Sequence, residues 1–210
     1  MQQPIVISGA GILGCYISCA LSLQGIDSIV LEKKDDEVED SVRTITLNPF
    51  SKNLLDKIGI ENDYSMINKM EVKDFDGTGK IVFKSSEIGM DHLAYVSDFA
   101  TLLMAVRKKA SEKILYKEEI IDIDNKGDLN EVTLSSGKVI KTNLIISSDG
   151  KNSKLANKIP KSDKDYFQTA LTFLASAEKD MNKSAFQIFS DNGICCLLYT
   201  SDAADDTNRV

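Results

Sequence analysis

Strand-like and helix-like hydrophobic patterns alternate along this chain, and the clearest come first. Ile5-Val6-Ile7-Ser8 is a short β-branched run that predicts a buried strand. From Cys15 to Gln24, small and apolar residues recur at helical spacing (Ile17, Ala20, Leu21), with Gly25 as a C-terminal stop. Ser28-Ile29-Val30-Leu31 predicts a second strand ending on Glu32, which completes a βαβ unit. The almost wholly charged stretch from Lys33 to Asp40 reads as a solvated loop. Thr44 to Leu47 predicts a strand, Asn48-Pro49 opens a helix over Phe50 to Ile58, and Gly59 ends it. Glu71 to Phe75 and Lys80 to Phe83 predict a hairpin around Asp76-Gly77-Thr78-Gly79, inserted at about 71–85.

Asp98 to Ala110 reads as an amphipathic helix with Leu102, Leu103, Val106 and Ala110 on one side and Arg107, Lys108 and Lys109 near its end. Ile114-Leu115-Tyr116 follows. Glu119 to Asp124, Glu131 to Leu134 and Val139 to Lys141, separated by glycine turns, then predict a small antiparallel meander. It feeds a buried strand, Leu144-Ile145-Ile146-Ser147, that stops at Ser148-Asp149-Gly150. Phe167 to Ala177 and Ser184 to Phe189 alternate like sheet strands, with Phe167, Phe173, Phe186 and Phe189 as expected core.

Composition narrows the classes. With 42% hydrophobic and 27% charged residues the chain is of globular type, and 210 residues suit one domain or one and a half. Lys+Arg 25 against Asp+Glu 32 gives a net charge of −7, which argues against a nucleic-acid footprint. No apolar run approaches the roughly 20 residues of a membrane-spanning helix. The opening MQQPIVISGAG lacks a secretory pattern, so the expected location is cytoplasmic with reduced thiols. Cys15, Cys19, Cys195 and Cys196 form no CxxC pair, and the chain has one histidine, His92, expected on the surface. Zinc chemistry and a Ser-His or Cys-His hydrolase have no inventory to draw on, and no catalytic or metal-ligating residue is assigned.

The chemistry lies in Gly9-Ala10-Gly11-Ile12-Leu13-Gly14, directly after a strand and opening a helix, with Glu32 ending the next strand about 20 residues on. In that context Gly9 permits the tight turn, Gly11 lets a pyrophosphate approach the backbone, and Gly14 lets the helix lie close on the sheet. The free N–H groups of the helix start favour phosphate, and Glu32 suits a ribose diol. A dinucleotide is expected here.

A meander, rather than further βαβ units, precedes the strand ending in Asp149-Gly150. With Arg43-Thr44-Ile45-Thr46-Leu47, Leu55 to Ile60 and Asp149-Gly150-Lys151-Asn152-Ser153, the sequence resembles the FAD-dependent aromatic-ring hydroxylases (group A flavoprotein monooxygenases), most closely their ubiquinone-ring branch. The resemblance spans most of residues 1–195. It implies an α/β fold: an FAD/NAD(P)-binding Rossmann-like sheet of glutathione-reductase type with a β-meander over 1–160, and the start of an antiparallel substrate domain over 161–195.

The resemblance also implies FAD as cofactor and NAD(P)H as co-substrate, with O2 supplying the oxygen placed on a small aromatic ring. For a polyprenylated ubiquinone precursor, it implies peripheral association with the inner face of a membrane. Gly9, Gly11 and Gly14 would bind the FAD pyrophosphate, Glu32 the adenosine ribose, and Arg43 the phosphate and ribityl region. Asp149 and Gly150 would serve flavin and pyridine nucleotide. Arg43 also reads as a plain surface arginine, and Ser153 as a helix cap. Asp98 stands where many relatives carry Arg, Gln or Asn toward the cofactor, and reads as an N-cap. A flavoprotein reductase or halogenase would share the same FAD half, and an inactive dinucleotide-binding fragment is the non-enzymatic alternative.

The end of the chain breaks the strand rhythm. From Cys196 to Asp206 it matches the translation of a transposon-end sequencing adapter, so residues 196–210 are expected to be non-native and poorly packed.

Overall fold

The computed structural model describes residues 3–39, 42–150, 153, 155, 166–178 and 181–198. In chain order these form β1 (Ile5–Ser8), α1 (Ile12–Leu23), β2 (Ser28–Glu32), β3 (Thr44–Leu47), α2 (Pro49–Lys57), β4 (Ser65–Ile67), β5 (Lys69–Asp74), β6 (Lys80–Lys84) and β7 (Ala94–Asp98). They continue with α3 (Phe99–Lys109), β8 (Ile114–Tyr116), β9 (Ile120–Asn125), β10 (Asn130–Leu134), β11 (Val139–Thr142), β12 (Ile145–Ser147), β13 (Ser184–Ser190) and β14 (Gly193–Leu197).

Two compact units interleave along the chain. One comprises Met1–Asp40, Ile58–Ile60 and Leu102–Ala170, the other Ser41–Lys57, Glu61–Thr101 and Leu171–Val210. The domain boundary expected near residue 160 lies outside the described residues.

The first unit holds a parallel sheet in the order β12-β1-β2-β8 and an antiparallel meander in the order β11-β10-β9. The β-branched runs are buried because each strand is flanked: Val6 pairs with Ile145 on one side and Ile29 on the other. Helix α1 packs on β1 and β2, sealed by a buried Ser18 Oγ to Ser28 Oγ hydrogen bond of 2.8 Å. Val6 and Leu31 join Ile120, Val132, Leu134 and Ile140 of the meander in one core, with Ile145 and Leu155 against it. This is the Rossmann-like sheet with its meander. Leu134 is fully buried in that core, so Leu134→Ala should destabilise the unit by roughly 2–5 kcal/mol in urea unfolding followed by circular dichroism.

The second unit contains a small antiparallel sheet, β3-β7-β4, and a four-stranded sheet, β14-β13-β5-β6. Asn48 Oδ1 accepts from Ser51 N–H at 2.7 Å at the start of α2. Asp98 Oδ1 accepts from Thr101 N–H at 2.7 Å at the start of α3, the capping role expected of it. The inserted hairpin is β5–β6, and it does not stand alone: β13 adds to its edge. A two-stranded hairpin is marginal by itself, and the added ladder supplies the pairing it lacks. The β13–β5 ladder is parallel, so the sheet is mixed where an antiparallel one was expected.

Phe167 to Ala177, expected as strand, forms none, and Phe167 and Phe173 are exposed rather than core. Among the described residues no ladder reaches this segment, and alternation of side chains cannot substitute for a pairing partner. Phe189 is exposed as well. At the chain's end, β14 extends into the stretch expected to be non-native, with Cys196 opposite Gln187 and Leu197 opposite Phe186. Leu198 packs against the Ile67, Val96 and Ala185 cluster, closer than expected. Backbone pairing asks little of side-chain identity, which is why such a stretch can join a ladder. The remaining residues, 199–210, lie outside the description.

Glu71 on β5 is 5% exposed. It meets the ammonium groups of Lys73 at 2.7 Å and of Lys69 and Lys80 at 3.1 Å, and these hold its carboxyl down at about 2. In the unfolded chain the same group takes up a proton near its ordinary 4.5. Its stabilising contribution is therefore complete above about pH 4.5 and is lost as pH falls toward 2. Urea unfolding at about pH 5 and about pH 2.5 should show a smaller acid-induced loss for Glu71→Gln than for the parent.

Candidate dinucleotide site

The carboxyl ends of β1, β2 and β12 open into a cavity of about 300 Å3. The chain leaves β1 toward β2 on one side, and β12 returns on the other, so the cavity lies where the strand order reverses. Ser8, Gly9, Gly11, Leu31, Glu32, Ser148, Asp149 and Gly150 line it, together with Lys33, Arg107, Glu118, Glu119, Ile120 and Leu155.

The glycines divide as the motif requires. Gly9 has φ +101, and a Cβ there would stand 2.7 Å from Asp149 Cα and from the Ser148 carbonyl oxygen. A Cβ on Gly14 would run into the Gly9 carbonyl oxygen. Both seal α1 to the strand ends. A Cβ on Gly11 would meet nothing within 4 Å: this residue faces open space at the N-cap of α1, with no side-chain cap and no acidic residue in the first turn. Donors at that helix start are left facing the cavity rim, where an anion is favoured.

Glu32 is held from several sides. Its Oε2 accepts from Ala10 N–H at 3.1 Å and its Oε1 from Lys34 N–H at 3.1 Å. Arg107 Nη2 lies 3.4 Å from Oε2, and Arg107 Nε donates to the Ala10 carbonyl at 2.9 Å. Both side chains are nearly nine-tenths buried, at 12% and 11% exposure. Across the cavity, Ser148 Oγ reaches the Ser8 and Gly9 carbonyls at 2.9 and 3.1 Å. Asp149 Oδ1 accepts from Ser147 Oγ at 2.7 Å, and Ser147 Oγ also meets the buried Ser153 Oγ at 2.8 Å. Glu118 lies low in the carboxylate range because Ser136 and Ser135 donate to it. Behind the turn, burial pushes the Cys15 thiol up to about 12, and Cys19 is raised for the same reason. At neutral pH both remain protonated packing residues.

Of the sequence-derived site residues, Gly9, Gly11, Glu32, Asp149 and Gly150 line one cavity, and Gly14 packs behind it. Arg43 belongs to the other unit, where its guanidinium lies 4.2 Å over the Phe99 ring and its carbonyl accepts from Phe99 N–H. His92, expected on the surface, is half-buried, hydrogen-bonded to Asn68 at 2.6 Å and edge-on to Tyr95. Sequence reasoning missed Arg107, Lys33 and Glu118. Arg107 sits in an Arg-Lys-Lys run that reads as ordinary helix-end charge, and its partners lie 75 and 97 residues away; no local pattern marks it.

The fold and this mouth define a dinucleotide-binding α/β protein of the flavoprotein type. Residues 2–202 match the FAD binding domain family, and the chain belongs to it. It is 27% identical to the ubiquinone biosynthesis monooxygenase COQ6, mitochondrial, of Danio rerio, covering 94% of this chain and 47% of that protein. It is 26% identical to 3-demethoxyubiquinol 3-hydroxylase of Escherichia coli K12, covering 91% and 54%. The chain thus spans about half the length of these curated relatives. Among solved structures, the fold matches a PqsL mutant of P. aeruginosa with a TM-score of 0.67 at 20% identity, over 79% of this chain and 48% of that one. It also matches p-nitrophenol 4-monooxygenase PnpA of Pseudomonas putida DLL-E4, with a TM-score of 0.62 at 17% identity, over 75% and 43%.

The glycine geometry separates tightly packed positions from an open one. Gly9→Ala and Gly14→Ala should each cost more than about 2 kcal/mol in thermal or urea unfolding. Gly11→Ala should stay within about 1 kcal/mol of the parent.

Proposed function

We propose that this chain is the FAD-binding part of a monooxygenase that hydroxylates an aromatic ring, a phenolic ubiquinone precursor, using NAD(P)H and O2. The observation that carries the reading is Gly11: a Cβ-free backbone facing open space at the mouth, beside a carboxylate fixed by three donors. The residues present fit the ADP half of FAD. Gly9, Gly11 and the first turn of α1 would hold the diphosphate, Gly14 would keep that turn against the sheet, and Glu32 would accept from the ribose hydroxyls. Asp149 and Gly150 would serve the flavin side, and Arg43 the phosphate and ribityl region, as the family resemblance implies.

FAD, when bound, supplies the redox and oxygen chemistry, while the protein supplies orientation and a water-poor site. The ring type and the ubiquinone connection rest on the curated relatives, which are a ubiquinone biosynthesis monooxygenase and a 3-demethoxyubiquinol 3-hydroxylase. A polyprenylated substrate would bring the protein to a membrane surface. Among the described residues, no helix is long and apolar enough to cross one.

FAD titration, read by quenching of flavin fluorescence, tests the site. The chain should bind FAD and ADP, and Gly11→Ala or Glu32→Gln should each weaken ADP roughly tenfold or more. A chain that binds neither ligand removes the reading. Oxygen uptake driven by NAD(P)H and stimulated by a phenol, in a protein carrying this chain with a complete substrate domain, tests the activity. Uptake that ignores the phenol would point to another flavoprotein reaction.

A further inference from the structure

Arg107 is one of the charged groups of the cavity that sequence reasoning did not find, and its contacts converge on one residue of the turn. Its Nε donates to the Ala10 carbonyl at 2.9 Å, while its Nη2 lies 3.4 Å from Glu32 Oε2. The same Oε2 accepts from Ala10 N–H at 3.1 Å. Ala10 is therefore gripped at both ends: its N–H by the carboxylate, its C=O by the guanidinium. A trans peptide points its N–H opposite to its C=O. Holding the Ala10 carbonyl toward Arg107 thus fixes the Gly11 N–H in the reverse direction, at the residue whose Cβ side is open. Holding the Ala10 N–H toward Glu32 fixes the Gly9 carbonyl, which Ser148 Oγ meets at 3.1 Å.

Charge works in the same direction. Glu32 is nearly nine-tenths buried beside a cavity read here as a diphosphate site, and an uncompensated carboxylate would repel that ligand. Arg107, equally buried, cancels it. Lysine could supply the charge but not the fork that spans a carbonyl and a carboxylate together.

We propose that Arg107 is the positioning residue of the diphosphate-binding turn: it orients the two peptide planes flanking Ala10 and neutralises Glu32 toward an anionic nucleotide. The proposal rests on the dinucleotide reading of this cavity and adds to it a residue from α3, outside the glycine motif.

The test compares ADP with adenosine on the intact chain by NMR titration, well below the melting temperature, for the parent, Arg107→Gln and Arg107→Lys. Adenosine reports the nucleoside half alone, so the ratio of the two affinities isolates the phosphate turn. The ADP-over-adenosine preference should fall at least about fivefold in Arg107→Gln, and less in Arg107→Lys, which keeps the charge. An unchanged preference in folded variants overturns the proposal, since a purely structural arginine would lower stability without altering the ratio. If neither variant folds, the parent decides: the Arg107 Nε–H resonance should shift when ADP is added and hold still with adenosine, and equal responses overturn the proposal. A parent that binds no ADP is a different result, and removes the dinucleotide reading itself.

Discussion

Backbone touches backbone where β1 turns into α1, and the site depends on that contact. Gly9 lies so close to Ser148 and Asp149 that no side chain fits between them, and Gly14 lies as close to the Gly9 carbonyl. Ser148 ties the two loops together, its N–H and Oγ both reaching the Ser8 carbonyl. Because β1 and β12 are neighbours in the sheet, this contact forces the start of α1 and the Asp149-Gly150 loop to share one rim. A bulkier turn would push the helix away and spread the donors that the rim now gathers.

The parts of this arrangement that are local in sequence could be read from it. A β-branched run, glycines at fixed spacing and an acidic residue after the next run define a βαβ unit within about thirty residues. The meander was legible too, because glycine turns at Gly127 and Gly137, both with positive φ, punctuate it. Legibility faded where a segment's state depends on a distant partner. Phe167 to Ala177 alternates as a strand should, yet strand formation is decided by whether a neighbour offers its ladder. Glu71 to Phe75 and Lys80 to Phe83 read as a hairpin, but nothing in them tells that Ser184–Ser190 will pair alongside in parallel. Arg107 is the extreme case, since its meaning lies wholly in residues 10 and 32.

The second unit shows the same dependence of charge on context. Four lysines along β5 and β6, Lys69, Lys73, Lys80 and Lys84, share a face with Glu71, which by composition alone would be a basic strip. Register turns it into something else. Pairing Lys73 with Lys80 brings both over one glutamate, with Lys69 beside it, so an acid that would otherwise be costly to bury is surrounded by donors. The ladder, rather than the composition, creates that cluster.

Net charge gives no guide to the ligand for a related reason. At −7 the chain has no basic field to steer a polyanion, which is what nucleic-acid binding would need. A dinucleotide carries only a diphosphate's charge and meets it at one point. There, the amides of a helix start can do what a basic surface does for a long polymer, provided the neighbouring carboxylate is compensated. Four acidic residues line the cavity with Lys33 and Arg107, and donors hold them: Ser147 on Asp149, Ser135 and Ser136 on Glu118, Arg107 on Glu32, among others. Serine donors fix the direction of Asp149 and Glu118 without cancelling their charge, while Arg107 compensates Glu32, and hydroxyl groups on a ribose are the ligand atoms such fixed acceptors suit. An acidic mouth and an anionic ligand are compatible once the acids face the sugar and the amides face the phosphate.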